Sequence, residues 1–216
     1  MTKAGLFIVF EGGDGVGKST QVAWLAASLK QSGVPCVVTF EPGASWLGQR
    51  VRDLVLNPAS GPICPPAETL LYLADKAQHV AEVIRPALAA GDVVVSDRYT
   101  DSVIAYQGEG RGLGGDAVKQ LADWATGGLA PDLTVLLDAD PDHAVETIAA
   151  KDRLESAGVE LHRRARQSFL DLAARHPDRY LVLPACDDIA DIAEAVRQRL
   201  AGFGLVLSAP QGMMDV

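Results

Sequence analysis

The sequence predicts an α/β protein with a five-stranded parallel sheet flanked by helices on both faces. Two observations support this prediction: five short apolar runs alternate with longer helical stretches, and a glycine-rich segment directly follows the first run. Near-continuous apolar runs are typical of strands that are buried on both faces. Their alternation with helices indicates parallel strand–helix–strand units.

The predicted strands share a high content of β-branched and aromatic residues. They are LFIVF at 6–10, CVVTF at 36–40, VVVS at 93–96, LTVLLD at 133–138 and YLVLP at 180–184. The longer stretches between them predict helices at 18–31, 46–56, 67–90, 116–126, 162–175 and 189–201. The proline-rich segment at 57–66 predicts a rigid connector. No repeat or linker divides the chain, so a single domain is expected at 1–204, with a flexible tail at 205–216.

The composition argues against several classes of protein. The 216 residues are 48% hydrophobic and 22% charged, which is ordinary for a globular domain. A net charge of −9 argues against broad nucleic-acid binding, which needs a basic face. Three widely spaced cysteines argue against a disulfide framework or structural zinc, and favour a reducing, cytoplasmic location. We find no signal-peptide pattern and no apolar run of membrane-spanning length, so no membrane partner is expected.

The segment at 12–19 reads GGDGVGKS and matches the phosphate-binding pattern G-x-x-x-x-G-K-[ST]. A strand is predicted before it and a helix after it, which is the context that this motif requires. Glycines let backbone N–H groups turn towards phosphate oxygens, Lys18 can reach the terminal phosphates, and the Ser19 hydroxyl can bind Mg²⁺. A turn that binds nothing would not need Lys and Ser after the last glycine. The predicted phosphate-binding residues are Gly12, Gly13, Asp14, Gly15, Val16, Gly17, Lys18, Ser19 and Thr20.

A second polar site follows the predicted strand at 93–96. Asp97 stands where P-loop enzymes have a second Mg²⁺ anchor, often through water. The adjacent Arg98 would point its guanidinium into the same cleft, where it can hold a phosphate with two hydrogen bonds. An ordinary surface ion pair is the alternative, and the phosphate-binding loop at the same sheet edge makes it the weaker one.

The residues around this second site resemble the thymidylate kinase family. The segment DRYTDSVIAYQG at 97–108 is similar to the family signature D-R-Y-x-D-S-S-x-A-Y-Q-G. Further blocks occur in the family's order: FEGGDGVGKST at 10–20, TFEPG at 39–43, AETLLY through QHV at 67–80, PDLTVLLD at 131–138 and DRLE at 152–155. Because the blocks span about residues 5 to 185, the chain is identified as a member of this family, with a P-loop kinase fold.

The resemblance implies a reaction and its partners. A family member transfers a phosphoryl group from ATP to dTMP, giving dTDP and ADP in dTTP biosynthesis, with Mg²⁺ as the metal. The partners are small nucleotides, and a homodimer packed through helices is expected, including the helix at 67–90. Two alternatives stay open: a paralogous kinase of another nucleoside monophosphate, and a nucleotide-binding regulator with weak catalysis.

The resemblance also implies how the phosphate and sugar of the acceptor are held. Asp14 would bind the sugar 3′-hydroxyl, and Arg52 and Arg98 would hold the monophosphate. Tyr106 would crowd the sugar 2′ position and favour deoxyribose. Ser102 belongs to the same signature and is expected at the acceptor.

Base recognition would fall to three side chains. Tyr72 stands where the family stacks an aromatic ring on thymine. Lys76 follows one helical turn later, on the same face, where the family usually has an arginine that binds a thymine carbonyl. Gln107 would read the base edge.

Three positions depart from the family's pattern. Phe40 replaces the arginine of T-R-E-P-G, Val103 replaces the second serine of D-S-S, and Lys76 replaces the arginine of the substrate helix. Each change removes a polar donor or a planar group near the acceptor. A diverged thymidylate kinase with compensating contacts is favoured over a paralogue, because the other acceptor residues are all present.

Catalysis in this family also uses cations from a lid segment, expected here at about 141–160. Gly15 occupies the loop position where one branch of the family carries a catalytic arginine, which implies the branch that carries it in the lid. The lid of this chain departs from that pattern, because Lys151 and Arg153 are its only cations where several arginines would be expected. Further candidate cations stand on the helix that follows, at Arg163, Arg164 and Arg166. The predicted catalytic residues are Lys18, Arg98, Lys151 and Arg153.

Overall fold

A computed structural model of the chain describes residues 5–141 and 158–210. The five apolar runs form the strands β1 (Leu6–Gly12), β2 (Cys36–Phe40), β3 (Val93–Asp97), β4 (Leu133–Asp138) and β5 (Tyr180–Pro184). They make one five-stranded parallel sheet, as predicted, and the structure gives its strand order as β2–β3–β1–β4–β5. Strand β1 is longer than its apolar run, because Glu11 and Gly12 still pair with β4.

Eight α-helices surround the sheet within the described residues. They are α1 (Lys18–Gln31), α2 (Trp46–Leu56), α3 (Pro65–His79), α4 (Arg85–Ala90), α5 (Thr100–Val103), α6 (Gly115–Thr126), α7 (Val159–Arg175) and α8 (Ile189–Ala201). A 3₁₀ turn follows α2 at Pro58–Ser60. π-Helical turns follow α3 at Val80–Ile84 and α5 at Ile104–Gly110.

The predicted continuous helix at 67–90 is wrong in its detail. It begins at Pro65, and a π-helical turn divides it into α3 and α4. Pro86 follows this turn and has no N–H to donate to the carbonyl group four residues earlier, so the regular hydrogen-bond ladder cannot continue through it.

No helix is predicted at 100–110, yet the chain is helical there. Nearly all of its side chains are buried, so no polar face marks the helix in the sequence.

Strand β1 has apolar residues at successive positions because both of its faces are buried. Ile8 and Phe10 belong to a core cluster with residues of α1 and α8. Phe7 and Val9 point to the opposite face and pack in a cluster with Val80 and other residues beside α4. Successive side chains of a strand face opposite sides of the sheet, and here both sides are covered.

The carboxyl ends of four strands carry the polar residues of the candidate site. β1 runs into the glycine-rich loop, β2 is followed by Glu41, β3 ends at Asp97, and β4 ends at Asp138. In a parallel sheet these ends lie along one edge, and ligands bind in the crevice outside that edge.

Part of the predicted C-terminal tail contacts the rest of the protein. The Ser208 N–H donates a 3.1 Å hydrogen bond to Ser32 Oγ, and Leu205 and Leu207 pack against the core. Residues 211–216 lie outside the described part of the chain.

Across 5–141 and 158–210, none of the helices combines the length and apolar character that a membrane crossing requires.

We expect the replacement Ile8→Ala to lower the free energy of unfolding by about 2–5 kcal/mol, because it leaves a cavity between the sheet, α1 and α8. The matched control is Val182→Ala on the edge strand β5, where the side chain is 43% exposed, and it should cost less than about 1 kcal/mol. Urea denaturation measures both. Equal losses would contradict this assignment of the core.

Candidate active site

The phosphate-binding motif forms the loop between β1 and the N-terminus of α1. Gly12 and Gly17 have φ angles of 137° and 86°, which L side chains rarely adopt. A Cβ atom on Gly12 would also lie 2.4 Å from the carbonyl oxygen of Leu137. No side chain caps the first turn of α1. Its N–H groups and the positive end of its dipole are therefore directed towards the space where an anion would bind.

Lys18 begins α1 and points back over the loop. Its Nζ donates hydrogen bonds to the carbonyl oxygens of Gly12, at 3.3 Å, and of Gly13. Burial lowers the pKa of Lys18 to about 8, and the charge of Arg98 adds to this effect, while Asp14 opposes it. The ammonium group is thus held by carbonyl dipoles at a point where phosphate oxygens would stabilise its charge.

The two predicted metal anchors lie side by side. The Ser19 hydroxyl donates a 2.7 Å hydrogen bond to Oδ2 of Asp97. Both groups line a cleft of about 420 Å³ between the loop and the ends of β2 and β3. Mg²⁺ in phosphate sites takes one or two hard oxygen ligands from the protein and completes its coordination with water and phosphate oxygens. This donor set therefore fits Mg²⁺.

Arg98 has an unusual backbone conformation. Its φ is 71°, and no other non-glycine residue among 5–141 and 158–210 has a positive φ. Its Nη2 donates to Asp14, and its Nη1 donates at 3.0 Å both to the carbonyl oxygen of Gly12 and to Ser102 Oγ. Burial alone would raise the pKa of Asp14, but the charges of Arg98 and Lys18 hold it below its usual value. A strained residue of this kind persists only where its surroundings enforce it.

Glu11 enforces this conformation, and the sequence predictions missed it as a site residue. Its Oε1 accepts hydrogen bonds from the backbone N–H groups of Tyr99 at 2.8 Å and Ser102 at 3.2 Å, and its Oε2 accepts the Ser102 hydroxyl at 2.6 Å. These three hydrogen bonds hold the turn that follows Arg98. Burial raises the pKa of Glu11 to about 7, and repulsion from Asp101 adds to the shift. A charged residue within the buried strand β1 is the sequence signal that could have revealed it.

A cavity of about 180 Å³ adjoins the phosphate cleft and collects most of the predicted acceptor residues. Four charged residues line both spaces and form their common wall: Asp14, Glu41, Arg52 and Arg98. The other predicted residues that line the cavity are Tyr72, Lys76, Ser102, Val103, Tyr106 and Gln107. The structure thus brings together side chains from α2, α3, the loop after β3 and the segment at 100–110.

Phe40 is the predicted acceptor residue that does not line this cavity. Its side chain is 44% exposed and borders the phosphate cleft instead. The guanidinium of Arg52 lies 5.8 Å from its ring centre, and Arg52 Nη1 donates a 2.8 Å hydrogen bond to the carbonyl oxygen of Pro42. The position therefore supplies an aromatic surface beside Arg52 and no charge of its own.

Lys76 is buried, although lysine side chains mostly lie on the solvated face of a helix. Its ammonium group forms an ion pair with Glu41 and donates a 2.8 Å hydrogen bond to the carbonyl oxygen of Tyr99. Glu41 also contacts His79 Nδ1 at 2.7 Å. Burial would raise the pKa of Glu41, but Lys76 and His79 hold it below its usual value. The sequence predictions missed Glu41 and His79, although both lie within the family blocks. A nucleobase near Lys76 would share an ammonium group that already has two partners.

Tyr106, Val103 and Tyr72 shape the remaining walls. The Tyr106 hydroxyl donates a 3.3 Å hydrogen bond to Asp14 Oδ2, and burial raises the pKa of Tyr106 above its usual value. Val103 is buried and contributes an apolar surface. Tyr72 is 8% exposed and borders the cavity from α3.

The predicted lid cations lie outside the described residues, because Lys151 and Arg153 fall within 142–157. The helix that follows, α7, reaches the same sheet edge. Arg166 forms hydrogen bonds of 2.8 and 2.9 Å with the two carboxylate oxygens of Asp138 at the end of β4. This bidentate pair lies close to the glycine-rich loop.

Two adjoining spaces with a common charged wall meet the needs of direct phosphoryl transfer: one has the amides and lysine for a polyphosphate, and the other suits a smaller polar acceptor. This geometry defines a small-molecule kinase of the P-loop class. The family model of thymidylate kinase matches residues 10–196. The chain belongs to the thymidylate kinase family.

Similar proteins match nearly the whole chain. A thymidylate kinase of Cutibacterium acnes is 63% identical over 199 residues, which are 92% of this chain and 98% of that protein. A thymidylate kinase of Clavibacter michiganensis is 52% identical, over 90% of this chain and 94% of that one. A crystal structure of thymidylate kinase from Ehrlichia chaffeensis is similar with a TM-score of 0.76 and 31% identity, and covers 92% of this chain and 99% of that one. The family predicted from the motifs is confirmed.

We expect kcat/KM for the nucleotide donor to fall as the pH rises above about 8, because the pKa of Lys18 is lowered to that value and the neutral amine cannot hold a phosphate. The fall should approach tenfold per pH unit. A bound polyphosphate would stabilise the ammonium form, so kcat should stay constant to higher pH. Steady-state kinetics from pH 7 to 9.5 measures both parameters. Lys18→Arg is the control. A guanidinium stays protonated over this pH range, so the decrease in kcat/KM at high pH should disappear. A flat wild-type profile would contradict the assignment.

Proposed function

We propose that this protein transfers the γ-phosphoryl group of ATP to dTMP, giving dTDP and ADP in the synthesis of dTTP. The observation that carries the proposal is the charged wall, including Asp14 and Arg98, between the phosphate cleft and the acceptor cavity. A donor phosphate on one side and an acceptor phosphate on the other would meet at this wall. The relatives that match over nine tenths of the chain are named thymidylate kinase, so neither a paralogous kinase nor a regulator is favoured.

The chemistry requires positioning and charge neutralisation. The acceptor phosphate is already an anionic nucleophile, so no general base is needed, and the reacting oxygens must be aligned with the leaving group. Lys18 would hold the terminal phosphates of the donor. Arg98 already bridges Asp14 and the loop, and its guanidinium would stabilise the charge that develops between donor and acceptor.

Mg²⁺ would be held by the Ser19 hydroxyl and by Asp97, directly or through water, next to the donor phosphates. When bound it supplies positive charge that neutralises the phosphate oxygens. The proximity of the two groups, at 2.7 Å, supports this role.

The acceptor would bind with its phosphate at Arg52 and Arg98 and its sugar at Asp14. Tyr106 stands against Asp14 and would exclude a 2′-hydroxyl, which favours deoxyribose. The base would stack on Tyr72, with Lys76 and Gln107 at its edge and Ser102 and Val103 on the remaining walls. Lys151 and Arg153 would add cations from the lid in the transition state.

We also propose a homodimer through α3 and α6, which pack side by side. Leu70 on α3 is 59% exposed, and Leu121 and Trp124 on α6 are 45% and 84% exposed. Exposed apolar side chains of this size on two packed helices are consistent with an interface. Light scattering is the check, and a mass of 22.8 kDa for the particle in solution would contradict the dimer. The three free cysteines support a reducing, cytoplasmic location, which cell fractionation would test.

A coupled assay of ADP release tests the proposed reaction. The acceptors are dTMP, dUMP, dGMP, dCMP and dAMP, with ATP and Mg²⁺ present. We expect the highest kcat/KM with dTMP. Clear turnover of another monophosphate without turnover of dTMP would overturn the choice of substrate.

We expect Arg52→Ala to raise KM for dTMP by about 10- to 100-fold, because one charge-assisted contact to the acceptor phosphate is lost. Arg50→Ala is the matched control, since Arg50 lies on the same helix but stacks at 3.9 Å over Trp46 on the exposed face. Its KM should stay within about twofold of the wild type. Similar effects of both changes would remove Arg52 from the phosphate site.

A further inference from the structure

Gln107 is held from behind by a buried carboxylate. It lies in the segment Ile104–Gly110, is 2% exposed, and lines the acceptor cavity. Its Nε2 donates a 3.1 Å hydrogen bond to Oε1 of Glu68 on α3. Glu68 is also 2% exposed and stands behind Gln107, since it does not belong to the cavity lining.

Arg111 holds this carboxylate in place. Its Nε donates to Glu68 Oε1 at 3.1 Å, and its Nη2 donates to Oε2 at 3.2 Å. A forked guanidinium fixes the plane of a carboxylate as well as its charge. Arg111, Glu68 and Gln107 therefore form a chain of hydrogen bonds that leads from the partly exposed guanidinium to the wall of the cavity.

The carboxylate determines which way the Gln107 amide faces. An ionised carboxylate can only accept hydrogen bonds, so the NH₂ group of Gln107 must point towards Glu68. The two ends of a glutamine amide have nearly the same shape, and without such a partner the group could adopt either orientation. Gln107 Oε1 takes part in no hydrogen bond with the described residues, so this acceptor is left for the cavity.

An acceptor in this position distinguishes pyrimidines by their edges. Thymine and uracil carry an N–H donor at N3, whereas cytosine carries a lone pair there. An oxygen that faces N3 attracts the first edge and repels the second. Val103 and Lys76 add little to this discrimination between pyrimidines. Val103 is apolar, and the Lys76 ammonium already binds Glu41 and the carbonyl oxygen of Tyr99.

We infer that Glu68, fixed by Arg111, is a positioning residue that turns the Gln107 amide oxygen towards the base and thereby selects pyrimidines with an N3–H group. This inference rests on the proposed function, since it assumes that the cavity receives the base of a nucleoside monophosphate. It assigns the specificity to a residue that does not itself touch the substrate.

The experiment compares dUMP with dCMP, which differ at the N3 and C4 edge and both lack the thymine methyl group. In Glu68→Gln a neutral amide of nearly the same shape replaces the carboxylate, so the Gln107 amide is free to turn over. We expect the ratio of kcat/KM for dUMP to that for dCMP to fall about tenfold or more. A purely structural defect would lower both values together and leave the ratio unchanged.

Glu109→Gln is the matched control, because Glu109 lies in the same segment but is exposed and accepts a hydrogen bond from the Gly115 N–H. It should keep the wild-type ratio. If Glu68→Gln does not fold, Glu68→Asp gives the same comparison, because the shortened carboxylate withdraws from Gln107. Unchanged ratios in the folded Glu68 variants would overturn the inference. A wild-type protein that phosphorylates no pyrimidine monophosphate would instead overturn the proposed function.

Discussion

The arrangement of the site depends on the left-handed backbone of Arg98 at the end of β3. This conformation lets one guanidinium contact Asp14, Ser102 and the carbonyl oxygen of Gly12 together. Such strain costs about 1–3 kcal/mol. Glu11 accepts three hydrogen bonds from the turn that follows, and these bonds hold the backbone in this conformation.

Buried carboxylates that hold another group in place recur around the cavity. Glu11 lies beneath the turn that follows Arg98, Glu68 lies behind Gln107, and Glu41 lines the cavity beside Lys76. All three carboxylates are buried. Buried ion pairs contribute little to stability compared with apolar packing, because desolvation offsets the attraction between the charges. Their effect here is on orientation, since each carboxylate restricts the position of a side chain that lines the cavity. The cavity is thus shaped by buried carboxylates that hold its lining residues in place, as well as by those residues themselves.

Local sequence was sufficient where function lies within one continuous segment. The loop at 12–19 could be recognised from its spacing alone. The pair Asp97–Arg98 was assigned together with this loop, because both follow strands that end at the same edge of the sheet. The residues predicted for the acceptor came from the family resemblance, since Arg52, Tyr72 and Gln107 belong to different elements and share no local pattern. Glu11, Glu41 and Glu68 were missed, because a carboxylate in a sequence does not show whether it faces water or a buried partner.

The sequence by itself determined the parallel α/β fold, because near-continuous apolar strands between helices can be covered only by layers on both faces. It also determined the phosphate-binding loop, whose chemistry resides in consecutive backbone groups. The tertiary structure decided which charged side chains are paired. Lys76 meets Glu41 across 35 positions, Gln107 meets Glu68 across 39, and Ser102 meets Glu11 across 91. Pairing over such distances follows from how helices and strands pack, and no short-range rule of sequence contains it.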